Sequence, residues 1–362
     1  MKAGIFDPYL DTLGGGERYA MTVAEALLRK DWQVDIFWPN NEIPNDKIKE
    51  KIIQKFSLDI KRINFVPYSP RTSNLLNRIK FEHGYNFLFY FSDGSIPLMF
   101  SKKNFLHFQV PFKNCLRKSF RNTFKLKRID VVVCNSFFTK TVIDECLDIK
   151  STVVYPPVDV ESFSPFKKEN IILSVGRFSQ LLQGKRQDVL LDAFKELIKL
   201  NDLKEWKLIL AGGNEVGGGG FANKLRMAAE GFPIEIVENP SFEELKKLYG
   251  EAKIFWTASG YGMDEEREPE RVEHFGMSTV EAMAAGCVPI VMGKGGQKEI
   301  IENGKNGFLW QEKEELKNLT METINNPQKA QTISKNAILR SKDYSKEVFY
   351  SRFYSLVDNE SS

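Results

Sequence analysis

Short apolar runs alternate with amphipathic stretches in two long series along this chain, and no other feature restricts its fold as much. In the first series, strands are expected at residues 3–6, 33–38, 63–66, 86–91, 105–108 and 131–134. The first of these ends at Asp7 and feeds a helix over 16–29, whose Ala20, Val23, Ala24, Leu27 and Leu28 recur at helical spacing. The second series places strands at 171–175, 207–210, 234–237, 254–257 and 288–292, again with helices between. Such alternation builds parallel sheets covered by helices on both faces. The prolines of Tyr155-Pro156-Pro157 and Ser164-Pro165 mark a linker between the two series. The expected fold class is therefore α/β, with two Rossmann-like domains. A chain of 362 residues that is 42% apolar suits two cores better than one.

Charge and cysteine usage narrow the function. A net charge of +3 argues against a polyanion binder, so no nucleic-acid partner is expected. Cys115, Cys134, Cys146 and Cys287 show no C-x-x-C spacing and are expected to be reduced core thiols. His83, His107 and His274 are scattered, so no metal site is expected. The first residues enter a strand at once with no signal peptide, and no apolar run reaches the length of a membrane span. A cytoplasmic protein is the expectation.

The chemistry is expected in Glu273-His-Phe-Gly-Met-Ser-Thr-Val-Glu281, which runs on to Gly286. A Phe-Gly turn opening a small-residue helix aims free N–H groups and a helix dipole at whatever lies in front, which suits phosphate or sugar oxygens. The carboxylates of Glu273 and Glu281 can each accept two hydroxyl hydrogen bonds and so suit a diol. Gly14-Gly15-Gly16, at the start of the first helix, reads either as an anion-binding turn or as a tight strand-to-helix connection. Its spacing is not the G-x-G-x-x-G of dinucleotide sites.

The Glu273–Glu281 string resembles the E-x7-E motif of the family 4 retaining glycosyltransferases, which have the GT-B fold of two Rossmann-like domains facing each other across a cleft. Other segments are similar to the same family in the right order. Ser174-Val-Gly-Arg177 and Lys185, leading into Asp188-Val-Leu-Leu, resemble its Gly-Arg…Lys-Gly signature, with Arg186 in place of the common glycine. The resemblance implies that Arg177 and Lys185 bind the donor diphosphate; without it they read as a solvated surface pair. It implies that Gly15 and Gly16 lie near the diphosphate and sugar, and that His107 positions the sugar by ring or carbonyl, although a lone histidine among apolar residues otherwise reads as core. It places Gly212 and Gly213 near the base or ribose and gives Asn239 a backbone role toward the base. Phe275, Gly276, Met277, Ser278, Thr279 and Glu281 complete the implied donor site, with Arg177, Lys185, Glu273 and His107 as its catalytic set. The run 217–220 is expected to be a flexible loop.

The resemblance implies domains at 1–160 (acceptor) and 161–343 (donor), with a last helix over 344–362 packing back on the first. Ser345 would cap that helix, and Val348, Phe349, Phe353, Leu356 and Val357 form its apolar face. The implied activity is transfer of a mannose- or glucose-type sugar from a GDP- or UDP-sugar to a glycan or lipid-linked hydroxyl, by a front-face, metal-independent route with no cofactor. A non-catalytic sugar-nucleotide-binding protein, or another GT-B enzyme such as an epimerase, is the alternative. Two segments stay open. Residues 262–271, rich in charge, are a solvated loop or a cover for the site. The stretch from Lys113 to Arg128 holds seven basic residues, with Phe112, Leu116, Phe120 and Phe124 every four. It is either a peripheral anchor for an anionic membrane or a core-packed helix with a wet basic side.

Overall fold

The computed structural model describes residues 1–39, 43–113, 120–179, 184–201, 203–214 and 219–358. The chain divides into two compact units, Met1–Pro157 with Glu347–Ser362, and Val158–Lys346.

The first unit is built on a parallel sheet in the order β3-β2-β1-β4-β5-β6-β7. Its strands are β1 (Lys2–Phe6), β2 (Gln33–Phe37), β3 (Asn64–Val66), β4 (Phe87–Phe91), β5 (Lys103–Phe108), β6 (Val131–Cys134) and β7 (Thr152–Val153). Alternate residues of one strand serve opposite faces, as a period of two requires. Phe87, Phe89 and Phe91 join one core with Tyr19, Val23 and Leu27 of the helix Gly15–Arg29. Leu88 and Tyr90 join the other, with Phe6, Phe37 and Phe108. A sheet buried on both faces demands continuous apolar strands, and β4 reads Phe-Leu-Phe-Tyr-Phe.

The last helix, Lys346–Asp358, belongs to this unit. Phe349, Tyr350, Phe353 and Val357 sink into the core that contains the first helix. Polar contacts fix their register. The Tyr350 hydroxyl donates to the buried Glu25 carboxylate, and Tyr354 Oη donates to the Ala26 carbonyl at 2.9 Å. Lys103 Nζ donates to the Val357 carbonyl at 2.9 Å.

The second unit carries β8 (Glu169–Val175), β9 (Lys207–Gly212), β10 (Ile234–Glu238), β11 (Ala252–Thr257), β12 (Val288–Met292) and β13 (Phe308–Trp310). Their parallel order is β10-β9-β8-β11-β12-β13, so the chain reverses direction across the sheet at β8 and β11. Strand ends at such a reversal are where open α/β sheets hold ligands. Lys168 braces the unit from the opposite side. Its half-buried side chain donates to the carbonyls of Tyr249, Ala252 and Ala285 at 3.3, 2.8 and 2.7 Å.

Three expectations need revision. Strands β7 and β13 are absent from the sequence reading because two- and three-residue strands carry too little pattern to register. Within the basic segment the helix spans Phe120–Leu126 and buries none of its residues. Phe120 is 90% exposed and Phe124 58%, so this is not a core-packed helix. Leu116, Arg117 and Lys118 lie outside the described residues, as do Gly217 and Gly218. Of the cysteines, Cys134 and Cys287 are buried free thiols, Cys146 is half-buried and Cys115 is outside the described residues.

Phe353 stands edge-on to both Phe87 and Phe105. Phe353→Ala should destabilise the first unit by about 3–5 kcal/mol, and Phe353→Leu by much less. Urea unfolding followed by a probe confined to that unit measures both.

Candidate active site at the strand ends of the second unit

Backbone clearance builds the site before any side chain acts. At Gly212 an added Cβ would stand 1.9 Å from the Gly176 carbonyl oxygen, so the β9 turn can lie on the β8 turn only as glycine. At Gly176 it would stand 2.8 Å from Lys185 Cγ, and the lysine stem takes that space. Gly295 and Gly296, after β12, press on the backbone of Glu273, His274 and Phe275. A Cβ on Gly295 would lie 2.1 Å from the Glu273 carbonyl oxygen, and Gly296 N–H donates to the same oxygen at 2.8 Å.

These turns converge on an ion pair. Lys185 Nζ meets Glu273 Oε2 at 2.7 Å, with both groups largely buried. Burial alone would raise the Glu273 carboxyl. The adjacent Lys185 charge and its hydrogen bond outweigh it and hold the pKa below the ordinary carboxylate value. Its neighbour His274 is pushed down to about 4, chiefly by burial, and stays neutral; its Nε2 lies 3.2 Å from the Glu270 carbonyl.

Gly276 follows with φ +120°, a conformation that side chains rarely adopt, and caps the helix Met277–Ala284. Phe275 is buried edge-on to Tyr344, Met277 and Ser278 are half-buried, and Thr279 is fully buried. Glu281 accepts a hydrogen bond from Tyr249 Oη at 3.1 Å. Asn239 has left-handed backbone (φ +51°), donates its N–H to the Gly212 carbonyl, and accepts from Asn214 N–H through Oδ1. Gly213 would meet Asn239 only at ordinary contact distance, so sterics do not require glycine there. The Arg177 side chain is exposed, without an ion pair among the described residues. Thus Arg177, Lys185, Gly213, Asn239 and Glu273 to Gly276 stand on loops after the strands of one sheet, Gly212 ends β9, and Met277 to Glu281 open the helix that follows.

Arg186 explains why a glycine suits its position. Its φ is +51°, and its guanidinium secures the turn by pairing with Asp188 and donating to the Tyr261 carbonyl at 2.9 Å. The segment 262–271 is solvent-exposed at Gly262, Asp264, Glu266 and Arg267, as a solvated loop would be, and is also tied down at several points. Glu265 accepts from Gly295 N–H at 2.8 Å and from Lys298 at 2.6 Å, and Lys294 donates to the Met263 carbonyl at 2.6 Å.

The remaining candidates lie in the first unit. Gly15 and Gly16 open its first helix, and a Cβ on Gly16 would strike Phe91 at 2.7 Å. His107, on β5, is fully buried among Tyr19, Phe89 and Phe91. Burial lowers its pKa to about 3, so its ring is neutral, and its carbonyl accepts from Ser92 N–H. Sequence reasoning passed over Asp7 as a site residue, although it ends β1 beside the glycine turn. Its carboxyl is buried, with Oδ1 bonded to Tyr9 N–H and Oδ2 without a partner. Gly295 and Gly296 were also missed, though a glycine pair directly after a strand is a usable signal. Among the described residues no group of three His, Cys, Asp or Glu is placed to hold a metal ion.

Comparison with known proteins agrees with this geometry. The pattern of the family described as glycosyl transferases group 1 matches residues 157–340, and that of glycosyltransferase family 4 matches residues 13–162. The chain belongs to this family and has its GT-B fold of two Rossmann-like domains. It is 32% identical over 201 residues to a Xenopus laevis GDP-Man:Man(3)GlcNAc(2)-PP-Dol alpha-1,2-mannosyltransferase, covering 50% of this chain and 38% of that protein. The chain thus spans under half the length of that relative. It is 27% identical to an uncharacterized Haemophilus influenzae glycosyltransferase, covering 95% of this chain and 96% of that one. Among solved structures, Anabaena HepE in complex with UDP superposes with a TM-score of 0.75 at 17% identity, over 99% of this chain and 100% of that one.

Asp7 generates a pH prediction. Burial first, then the nearby Glu17 charge, raises its pKa from 3.8 to about 8. The folded state therefore holds a proton that the unfolded state releases near pH 4. Stability should fall as pH rises from about 4 to about 8 and level off above. Asp7→Asn, always neutral, should gain on the wild type across that window, by on the order of a few kcal/mol at its upper end. Urea midpoints at pH 5, 7 and 9 measure the difference.

Proposed function

We propose that this chain is a retaining hexosyltransferase that moves a mannose- or glucose-type sugar from a nucleoside diphosphate donor to a hydroxyl of a glycan or lipid-linked acceptor. The Lys185–Glu273 pair beside the helix N-terminus at Gly276 carries the reading. A nucleoside diphosphate leaves with growing negative charge, and Lys185 and Arg177 are the cations placed to meet it. Glu273 and Glu281 present carboxylates to hydroxyl pairs, Glu273 on the sugar and Glu281 on the ribose. The N–H groups opening the helix Met277–Ala284 face phosphate or sugar oxygens. The acceptor hydroxyl attacks the anomeric carbon from the face the diphosphate leaves, and its proton passes to the departing phosphate oxygen. The sugar keeps its configuration, and neither an enzyme nucleophile nor a metal is assigned a role. His107, neutral in its aromatic surroundings, would act as a hydrogen-bonding or shape element rather than as a base.

The GDP-mannose named in the Xenopus relative supports a guanosine donor. The UDP held by the Anabaena protein keeps uridine donors in view. Arg177→Ala and Lys185→Ala should each lower turnover about 100-fold or more while the thermal midpoint moves little. Proton NMR of the first product from an α-linked donor should show an α-linkage. Activity of both variants within threefold of wild type, or a β-product, would overturn the assignment.

The exposed Phe120 and Phe124 support the membrane reading of the basic segment. Arg121 and Lys127 of the same segment are exposed, whereas Lys125 and Arg128 donate to the carbonyls of Ile96 and Met99. Among the described residues no helix is long and apolar enough to cross a membrane, so contact would be peripheral. Replacing Arg121 and Lys127 by Gln should weaken sedimentation with phosphatidylserine vesicles about tenfold or more, at roughly 1 kcal/mol per cation. Donor affinity should not change. No wild-type binding at low salt would remove the membrane role.

A further inference from the structure

Gln297 stands directly after the Gly295–Gly296 pair and is 1% exposed. Neither Oε1 nor Nε2 of its amide has a hydrogen-bond partner. The amide lies against Gly276: Nε2, Cδ and Oε1 are 2.8, 3.0 and 3.0 Å from where a Cβ on that glycine would stand. Gly276 caps the eight-residue helix Met277–Ala284, so the amide sits beside N–H groups that have no partner within the helix. Thr279 Oγ1, one turn on, is also buried and unpartnered.

A buried side-chain amide with neither atom paired is costly, and nearly all such groups in folded proteins have partners. Leucine or methionine would fill the same volume without that cost. The polar group therefore points to a partner that arrives with a ligand. Its chemistry identifies the partner. A phosphate oxygen only accepts and would satisfy Nε2 alone, whereas a hydroxyl can donate to Oε1 and accept from Nε2. Of the neighbouring groups, Glu273 only accepts and Lys185 only donates. We propose that Gln297 is a specificity-determining residue of the donor site, reading a hydroxyl of the transferred sugar through its amide. This rests on the donor site placed at Gly276 under the proposed function.

The test uses the full chain and equilibrium titration with GDP, UDP, GDP-mannose, UDP-glucose and the monodeoxy forms of whichever sugar nucleotide binds. Gln297→Met should leave the affinity for the bare nucleoside diphosphate within twofold and weaken the sugar nucleotide about tenfold. One monodeoxy donor should bind wild type about tenfold more weakly than its parent and bind the variant equally to it. The variant's thermal midpoint without ligand should equal or exceed that of wild type. Equal weakening of diphosphate and sugar nucleotide would make Gln297 a mere support for Gly276 and overturn the proposal, as would no change in either. Should Gln297→Met and Gln297→Leu both fail to fold, wild type alone decides: if every monodeoxy donor binds within twofold of its parent, no hydroxyl is read. If wild type binds none of the nucleotides, the donor site itself is misplaced, and the proposal falls with it.

Discussion

The pairing of Lys185 with Glu273 is the constraint around which the second unit's loops are arranged. Two charges taken largely out of water lose hydration that their mutual attraction only partly returns, so such a pair adds little to stability. What it requires is accurate placement. Lys185 reaches Glu273 because Gly176 leaves room for its stem, and Gly176 keeps its place because Gly212 lets the next strand turn lie on it. On the other flank Glu273 is held through its own carbonyl by the Gly295–Gly296 turn. In the proposed reaction a diphosphate would compete for Lys185, and the carboxylate it leaves would turn to the sugar hydroxyls.

The helix Met277–Ala284 is anchored at one end and open at the other. Its C-terminal carbonyls are occupied: Lys168 takes Ala285 and Ser334 Oγ takes Gly286 at 2.7 Å. A cation at that end also complements the helix dipole. Anchoring one end fixes the axis, so the N–H groups at the other end point in a set direction without a ligand.

Much of this was legible in the sequence, for identifiable reasons. Parallel strands buried on both faces favour continuous apolar runs; β4 and β12 are apolar from end to end and β1 and β8 carry such runs inside them, so the two-unit α/β fold and the family were read correctly. The string from Glu273 to Glu281 marked the candidate site because a glycine turn before a small-residue helix leaves N–H groups free to meet a ligand. Other features depend on contacts made across the fold. Nothing in the sequence says that Gly212 clears the Gly176 carbonyl, that Gln297 lies against Gly276, or that Asp7 is buried beside Glu17. The helical spacing of Phe120 and Phe124 was visible, but whether that stripe faces a core or solvent depends on what the rest of the unit leaves uncovered.

Arg186 ties the placement of one loop's backbone to the identity of a residue in another. Left-handed backbone costs a non-glycine residue roughly 1 kcal/mol or more, and here the guanidinium's hold on Tyr261 and Asp188 offsets it. A change that moves the Tyr261 carbonyl out of reach would remove one of those two contacts, and glycine would then be the better residue at 186. The path of the backbone at Tyr261 and the residue at 186 are therefore set together: the turn keeps its arginine only where that carbonyl stays within reach.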